Sequence, residues 1–237
     1  MTLSMQKSMS ERGSAFEQKI AAMPREMLLA FGLDRPNLTE PVGYLAANAS
    51  LYTIVGALYA ALLGATLATR EATTRTGEML FTQPLARSTS VAAKSLVGLG
   101  CVAGFNVVML LSAALAYGGA GVDVARKGAF VSVFAGSSLI HCALFALSLA
   151  LSVSLAQPRS AASKATALAF GLYGLAVVAR ASDKLRPLAR LSPFSYADAG
   201  DVAANGALPL RALALAPLIV VLALVARVRF ARRDIDA

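Results

Sequence analysis

Residues 41–69 read PVGYLAANASLYTIVGALYAALLGATLAT, and residues 70–87 read REATTRTGEMLFTQPLAR. The first stretch carries no charged side chain, and neither does 95–122, just beyond the second. An apolar run of about 18 residues or more is long enough to cross a bilayer as a helix. A compact charged segment joining two such helices must lie at the membrane surface. A partner in the aqueous phase can therefore grip it and move the helices that it joins.

The rest of the composition agrees. The chain has 237 residues, 57% of them hydrophobic and 15% charged, with a mean hydropathy of +0.64. A soluble domain carries about a quarter charged residues. The deficit, with the long uncharged runs, describes an integral membrane protein. Strands of a membrane barrel would alternate apolar and polar residues at period two. These runs are continuously apolar, which reads as helix. A helix also satisfies its own backbone hydrogen bonds inside lipid. The fold class expected is therefore an all-α integral membrane protein.

Five helices are predicted to cross the membrane, at about 44–69, 92–118, 129–156, 160–181 and 207–230. The fourth has fifteen uncharged residues between Lys164 and Arg180, and the fifth has fifteen between Arg211 and Arg227. Long Lys and Arg stems let these flanking charges reach the interface. The alternative for both is a re-entrant or interfacial segment. Residues 1–43 form a separate region, a polar N-terminus and an amphipathic segment, ahead of the transmembrane domain 44–237. Phe16, Ile20, Met23, Met27 and Phe31 recur at helical spacing, as in a helix lying in the interface. Pro24 either breaks this segment or opens its second half. No apolar h-region of a signal peptide occurs at the start.

The net charge of +9 fits basic residues flanking membrane helices and facing anionic lipid. No basic–aromatic clusters accompany it, so nucleic acid is not an expected partner. Placing 70–91 in the cytoplasm puts ten basic residues inside: Arg70, Arg75, Arg87, Lys94, Arg159, Lys164, Arg227, Arg229, Arg232 and Arg233. Seven then lie in outside loops: Arg126, Lys127, Arg180, Lys184, Arg186, Arg190 and Arg211. The positive-inside rule favours that orientation, with 182–206 outside, in a plasma (inner) membrane.

Catalytic chemistry is absent from the pattern. No Gly-x-x-x-x-Gly-Lys-Ser/Thr loop occurs, so the chain is not expected to bind ATP. No Gly-x-Ser-x-Gly elbow occurs, and the single His, His141, sits in mid-helix without a nearby acid. His141 and Cys142 are adjacent and point to different helix faces, a poor metal pair. His141 reads as a neutral, hydrogen-bonded side chain facing another helix. Cys101 and Cys142 read as small apolar packing residues, and the pair Gly100 and Gly104 likewise serves packing. No Asp, Glu, Lys or Arg lies mid-span, so an ion or proton pathway has little support. A hydrophobic or amphipathic cargo suits that absence better.

The order of motifs resembles the ABC-2 type transporter permeases. Their coupling segment has an acidic residue after the helix, then Gly, a small apolar patch, Pro-apolar-x-Arg, and Lys before the next helix. The matching positions are Glu71, Gly77, Met79-Leu80-Phe81, Pro84-Leu85-Ala86-Arg87 and Lys94. Met23-Pro24, Phe31-Gly32 and Gly43-Tyr44-Leu45 are similar to the lead into the family's second helix. Ser192-Pro193-Phe194-Ser195-Tyr196 with Asp198 and Asp201 is similar to its external motif, and Phe230-Ala231-Arg232-Arg233-Asp234-Ile235 to its ending. Together these cover most of 23–237. Two features depart from the pattern. Gly77-Glu78 stands where relatives often have a second acidic residue and a Gly-Thr pair. The usual first of six helices is also missing ahead of Met23, which implies either an upstream start or a five-span variant.

The resemblance implies a permease subunit acting with a second permease subunit, identical or not, and with a separate ABC ATPase. This chain would bind no cofactor, while the partner ATPase would use ATP and Mg. A short helix at about 75–83 would insert Met79, Leu80 and Phe81 into a groove of the ATPase. Arg75, Glu78 and Arg87 would make rim contacts that set register. Gly77 would permit close backbone approach, and Pro84 would turn the chain back to the membrane. Closure of two ATPase subunits would rock the attached helices and expose the pathway to the other side. The competing readings are a non-transporting membrane scaffold or assembly subunit, and an ion-coupled secondary transporter.

Overall fold

The computed structural model describes residues 22–24, 27–28, 41–74, 87–119, 127–155 and 157–231. Long helices dominate: α1 (Pro41–Thr74), α2 (Arg87–Gly119), α3 (Lys127–Val153), α4 (Ala161–Ala181) and α6 (Leu215–Ala231). A short α5 (Ala199–Asn205) stands between α4 and α6, among 3-10 turns at Asp183–Leu191, Pro193–Ser195 and Leu210–Ala214. Among the described residues there is no strand. Among the described residues five segments are long and apolar enough to cross a membrane: Leu45–Arg70, Thr89–Gly119, Lys127–Val153, Pro158–Ala181 and Leu210–Phe230. They are the helical spans of the all-α membrane fold expected from the sequence.

The helix ends differ from the sequence reading. α1 runs on through Arg70 and Glu71 to Thr74, past the predicted end at 69. The hydroxyls of Thr73 and Thr74 donate to the carbonyls of Thr69 and Arg70. These carbonyls already accept the amides of residues 73 and 74 in the helix, so the hydroxyl bonds follow the helical course and do not cause it. At 34 residues, α1 spans about 50 Å at 1.5 Å per residue. That exceeds a hydrocarbon core of about 30 Å, and the charged residues Arg70 and Glu71 fall in its last turns, past the apolar stretch. α3 ends at Val153 rather than 156, and a 3-10 turn at Pro158–Ser160 starts the next span. α4 is one continuous helix, not a re-entrant segment. The last span opens as a 3-10 turn over Leu210–Ala214 before becoming α-helical. Near the N-terminus, the Pro24 carbonyl accepts from the amides of Met27 and Leu28 at 3.0 and 3.1 Å, so Pro24 opens a helical turn.

α3 is the central helix. Of its apolar window 61% is buried, against 17% for α2 and for the last span. α1 lies along it, presenting Ala57, Ala61 and Ala65 to Ile140, Ala143 and Leu144 of α3 and to the alanines of α4. Lipid tails give no hydrophobic drive between helices, so close packing of small residues holds such pairs. Gly64 shows how close: a β-carbon there would stand 2.5 Å from the Phe145 carbonyl oxygen. Phe145 and Leu149 reach from α3 towards Val91 and Val102 of α2 and Ala226 of α6. At the end where α1 finishes, the Arg229 guanidinium donates to the Ser154 hydroxyl at 2.8 Å. The Lys94 ammonium lies 5.5 Å from the centre of the Phe230 ring.

Candidate functional site

Much of the segment singled out in the sequence lies outside the described residues: Arg75, Gly77, Glu78, Met79, Leu80, Phe81 and Pro84. Its two ends are described. Glu71 lies in the last turns of α1, and Arg87 is the first residue of α2. In sequence, the segment 75–86 thus joins the end of α1 to the start of α2. α1 itself packs along α3.

Midway along the bundle, three helices share a polar network. His141 of α3 is fully buried. Its Nε2 lies 3.0 Å from the Thr53 carbonyl oxygen of α1. A carbonyl only accepts, so Nε2 carries the proton. Its Nδ1 lies 3.0 Å from Oδ1 of Asn106 on α2, a contact between two acceptors in the neutral ring that becomes a hydrogen bond only where both ring nitrogens carry a proton. The same oxygen accepts from the Tyr52 hydroxyl, and the Asn106 amide donates to the Val102 carbonyl at 2.7 Å. One turn earlier on α3, the Ser137 and Thr53 hydroxyls are 2.7 Å apart. Thr53 is also within reach of the Ala49 carbonyl and Ser137 of that of Val133, so two protons serve three contacts. Tyr52 stacks on Phe105 at 5.8 Å and meets the His141 ring edge-on at 5.4 Å.

The network is built from hydroxyl, amide and imidazole groups, and among the described residues no carboxylate bonds to His141. It lacks a metal cluster: among the described residues no group of three His, Cys, Asp or Glu could hold an ion. It can fix the rotation and register of α1, α2 and α3, since an unpaired polar group in hydrocarbon costs several kcal/mol. The sequence singled out His141 alone. Asn106, the one amide in the uncharged run 95–122, was the available signal for its partner.

The opposite end of the bundle is closed by the Ser192–Asp201 motif. The Ser192 hydroxyl donates to the Leu172 carbonyl at 2.7 Å, and Phe194 meets Tyr173 edge-on at 5.3 Å. Asp198 caps α5, accepting from the amides of Gly200 and Asp201 at 3.0 and 3.2 Å. It also pairs with Arg180 at the end of α4, while Asp201 pairs with Arg211. α5 seats Val202 against Ala46 and Ala49 of α1 and Val133 of α3. The aspartates thus lock a short helix over the ends of α1 and α3.

The family description "ABC-2 family transporter protein" matches residues 2–235. No curated protein and no solved structure matches the chain.

Proposed function

The chain belongs to the ABC-2 transporter family, the membrane permeases of ABC transporters, and from that premise we propose how it works. It is a transport subunit that is not itself catalytic, and membership of the family implies association with an ABC ATPase. In our reading it sits in the plasma membrane with 70–91 on the cytoplasmic side. It pairs with a second permease subunit and moves a hydrophobic or amphipathic cargo by alternating access. ATP and Mg are used by the separate ATPase.

The observation that carries this reading is the unbroken course of α1. The helix leaves the apolar layer, continues through Arg70 and Glu71 to Thr74, and hands over to 75–86. A rigid helix of this length turns a pull on its surface end into a tilt against α3. Near the middle that tilt meets the bond from His141 to Thr53 and the bond from Tyr52 to Asn106. At the far end it meets α5 and its aspartate pairs. These contacts define one packed arrangement that ATPase closure would exchange for another. The uncharged middle of every described span supports an apolar cargo.

For a second permease subunit, support comes from α2. Val97, Cys101, Val108 and Leu115 are exposed along it. Gly100 and Gly104 have no heavy atom beyond their own backbone surroundings within 4 Å of an added β-carbon. A Gly-x-x-x-Gly pair on an open apolar face is the surface on which membrane helices associate. The test is reconstitution of the chain with the ATPase that copurifies with it. ATP-dependent movement of a lipid-like cargo is expected, and movement driven by a proton or sodium gradient without nucleotide would overturn the reading.

A further inference from the structure

A cleft of about 530 Å3 opens at the end of the bundle that carries the charged segment. One wall is a stripe of α1: Leu63, Thr66, Leu67, Arg70 and Thr73. The other is Arg159 and Ala162, at the start of the fourth span. On α1 these positions recur every three or four residues, so they share one face. Leu63 lies about 10 Å deeper than Arg70 along the axis, at 1.5 Å per residue. The cleft therefore grades from apolar at its base to cationic at its mouth.

Its hydrogen-bonding capacity is one-sided. The Thr66 hydroxyl donates to the Leu62 carbonyl at 2.7 Å, and that of Thr73 to the carbonyls of Thr69 and Arg70. These hydroxyls have turned their protons to the backbone and offer only lone pairs to the cleft. Donors come from the guanidinium groups of Arg70 and Arg159. Both are exposed, and neither forms an ion pair with another described residue. A guanidinium matches the paired oxygens of a phosphate in geometry and charge.

We infer that this cleft binds the phosphodiester headgroup of an anionic phospholipid. Arg70 and Arg159 hold the phosphate at the mouth. Thr66 and Thr73 accept from headgroup hydroxyls, and Leu63, Leu67 and Ala162 line the first part of an acyl chain. The site goes beyond the transport reading above and does not depend on it. The ligand reaches it from within the bilayer, which fits a cleft whose base is apolar and whose mouth is at the interface.

The full chain purified in detergent can be loaded with dioleoylphosphatidylglycerol or dioleoylphosphatidylcholine, and retained lipid read by native mass spectrometry. Wild type should retain the phosphatidylglycerol in preference to the phosphatidylcholine. Arg70→Gln with Arg159→Gln should weaken that retention about tenfold or more, the scale of one lost charge-assisted contact. Arg186→Gln with Arg190→Gln removes the same charge at the other end and should change nothing. Ala162→Phe fills the cleft while keeping both arginines, and should lose the lipid too. It carries the test if the arginine variant fails to elute as a folded species. Equal retention by wild type and Ala162→Phe, or equal loss in the Arg186 and Arg190 control, would overturn the inference. So would full displacement of the lipid by sn-glycerol 3-phosphate, which would make the ligand a water-soluble phosphate ester.

Discussion

The imidazole of His141 occupies the space where a β-carbon on Gly56 would stand. That carbon would lie 2.3 Å from Cε1 and 2.5 Å from Nε2. The glycine is therefore the socket that lets α3 bring its histidine against α1. Only from that socket does Nε2 reach the Thr53 carbonyl, one turn earlier on the same helix. The two residues set the register in which the central pair of helices packs.

Gly56→Ala should consequently destabilise the protein. Overpacking of a close-packed site costs about 1–3 kcal/mol, against a gain of about 0.5–1 kcal/mol for alanine over glycine in a helix. Gly171→Ala, which meets nothing within 4 Å, keeps only the gain. Thermal unfolding in detergent should place Gly56→Ala below wild type and Gly171→Ala at or above it. Identical melting of the two variants would mean that His141 does not fill the Gly56 socket.

The orientation can be read with single cysteines in a background lacking Cys101 and Cys142. Ala204 is exposed on α5, so a cysteine there should react with an impermeant maleimide added outside intact cells. A cysteine at Thr82 should react only after the membrane is opened. Labelling of Thr82→Cys but not Ala204→Cys in intact cells would invert the topology and remove the coupling assignment.

If two copies meet along the open face of α2, Cys101 of each lies beside the axis. Mild oxidation of membranes from a Cys142→Ala strain should give a disulfide-linked dimer, since close helix crossing brings paired Cα atoms within about 7 Å. Cys101→Ala should abolish it. A monomer throughout, at full expression, would place the second permease subunit on another face or make it a different chain.

The five spans were legible in the sequence because uncharged runs of that length have few alternatives. Their ends were less so. Arg70 and Glu71 look like a helix boundary, but the helix continues through them to Thr74. His141 was visible as an ionisable group at membrane depth. Its partners were not, because they come from positions 88 and 35 residues away, and only the packing of α1 and α2 on α3 brings them in. The cleft between Arg70 and Arg159 was hidden for the same reason. Basic residues at span ends read individually as flanking charge, and their convergence is a property of the tertiary structure. The coupling residues were named through a resemblance of motif, and family membership now stands behind that resemblance, while 75–86 lies outside the described residues.

The central claim, that an ATPase drives this permease through the segment around Phe81, is tested most directly by copurification with Phe81→Asp. The tagged wild-type chain, extracted in mild detergent, should bring down a protein carrying the Gly-x-x-x-x-Gly-Lys-Ser/Thr phosphate loop. A carboxylate in place of the ring would be expelled from an apolar groove, at a cost of several kcal/mol. Phe81→Asp should therefore insert normally yet lose the ATPase and ATP-dependent transport together. Ser88→Ala, near the start of α2, should keep both. Retention of ATPase and transport by Phe81→Asp would contradict the account.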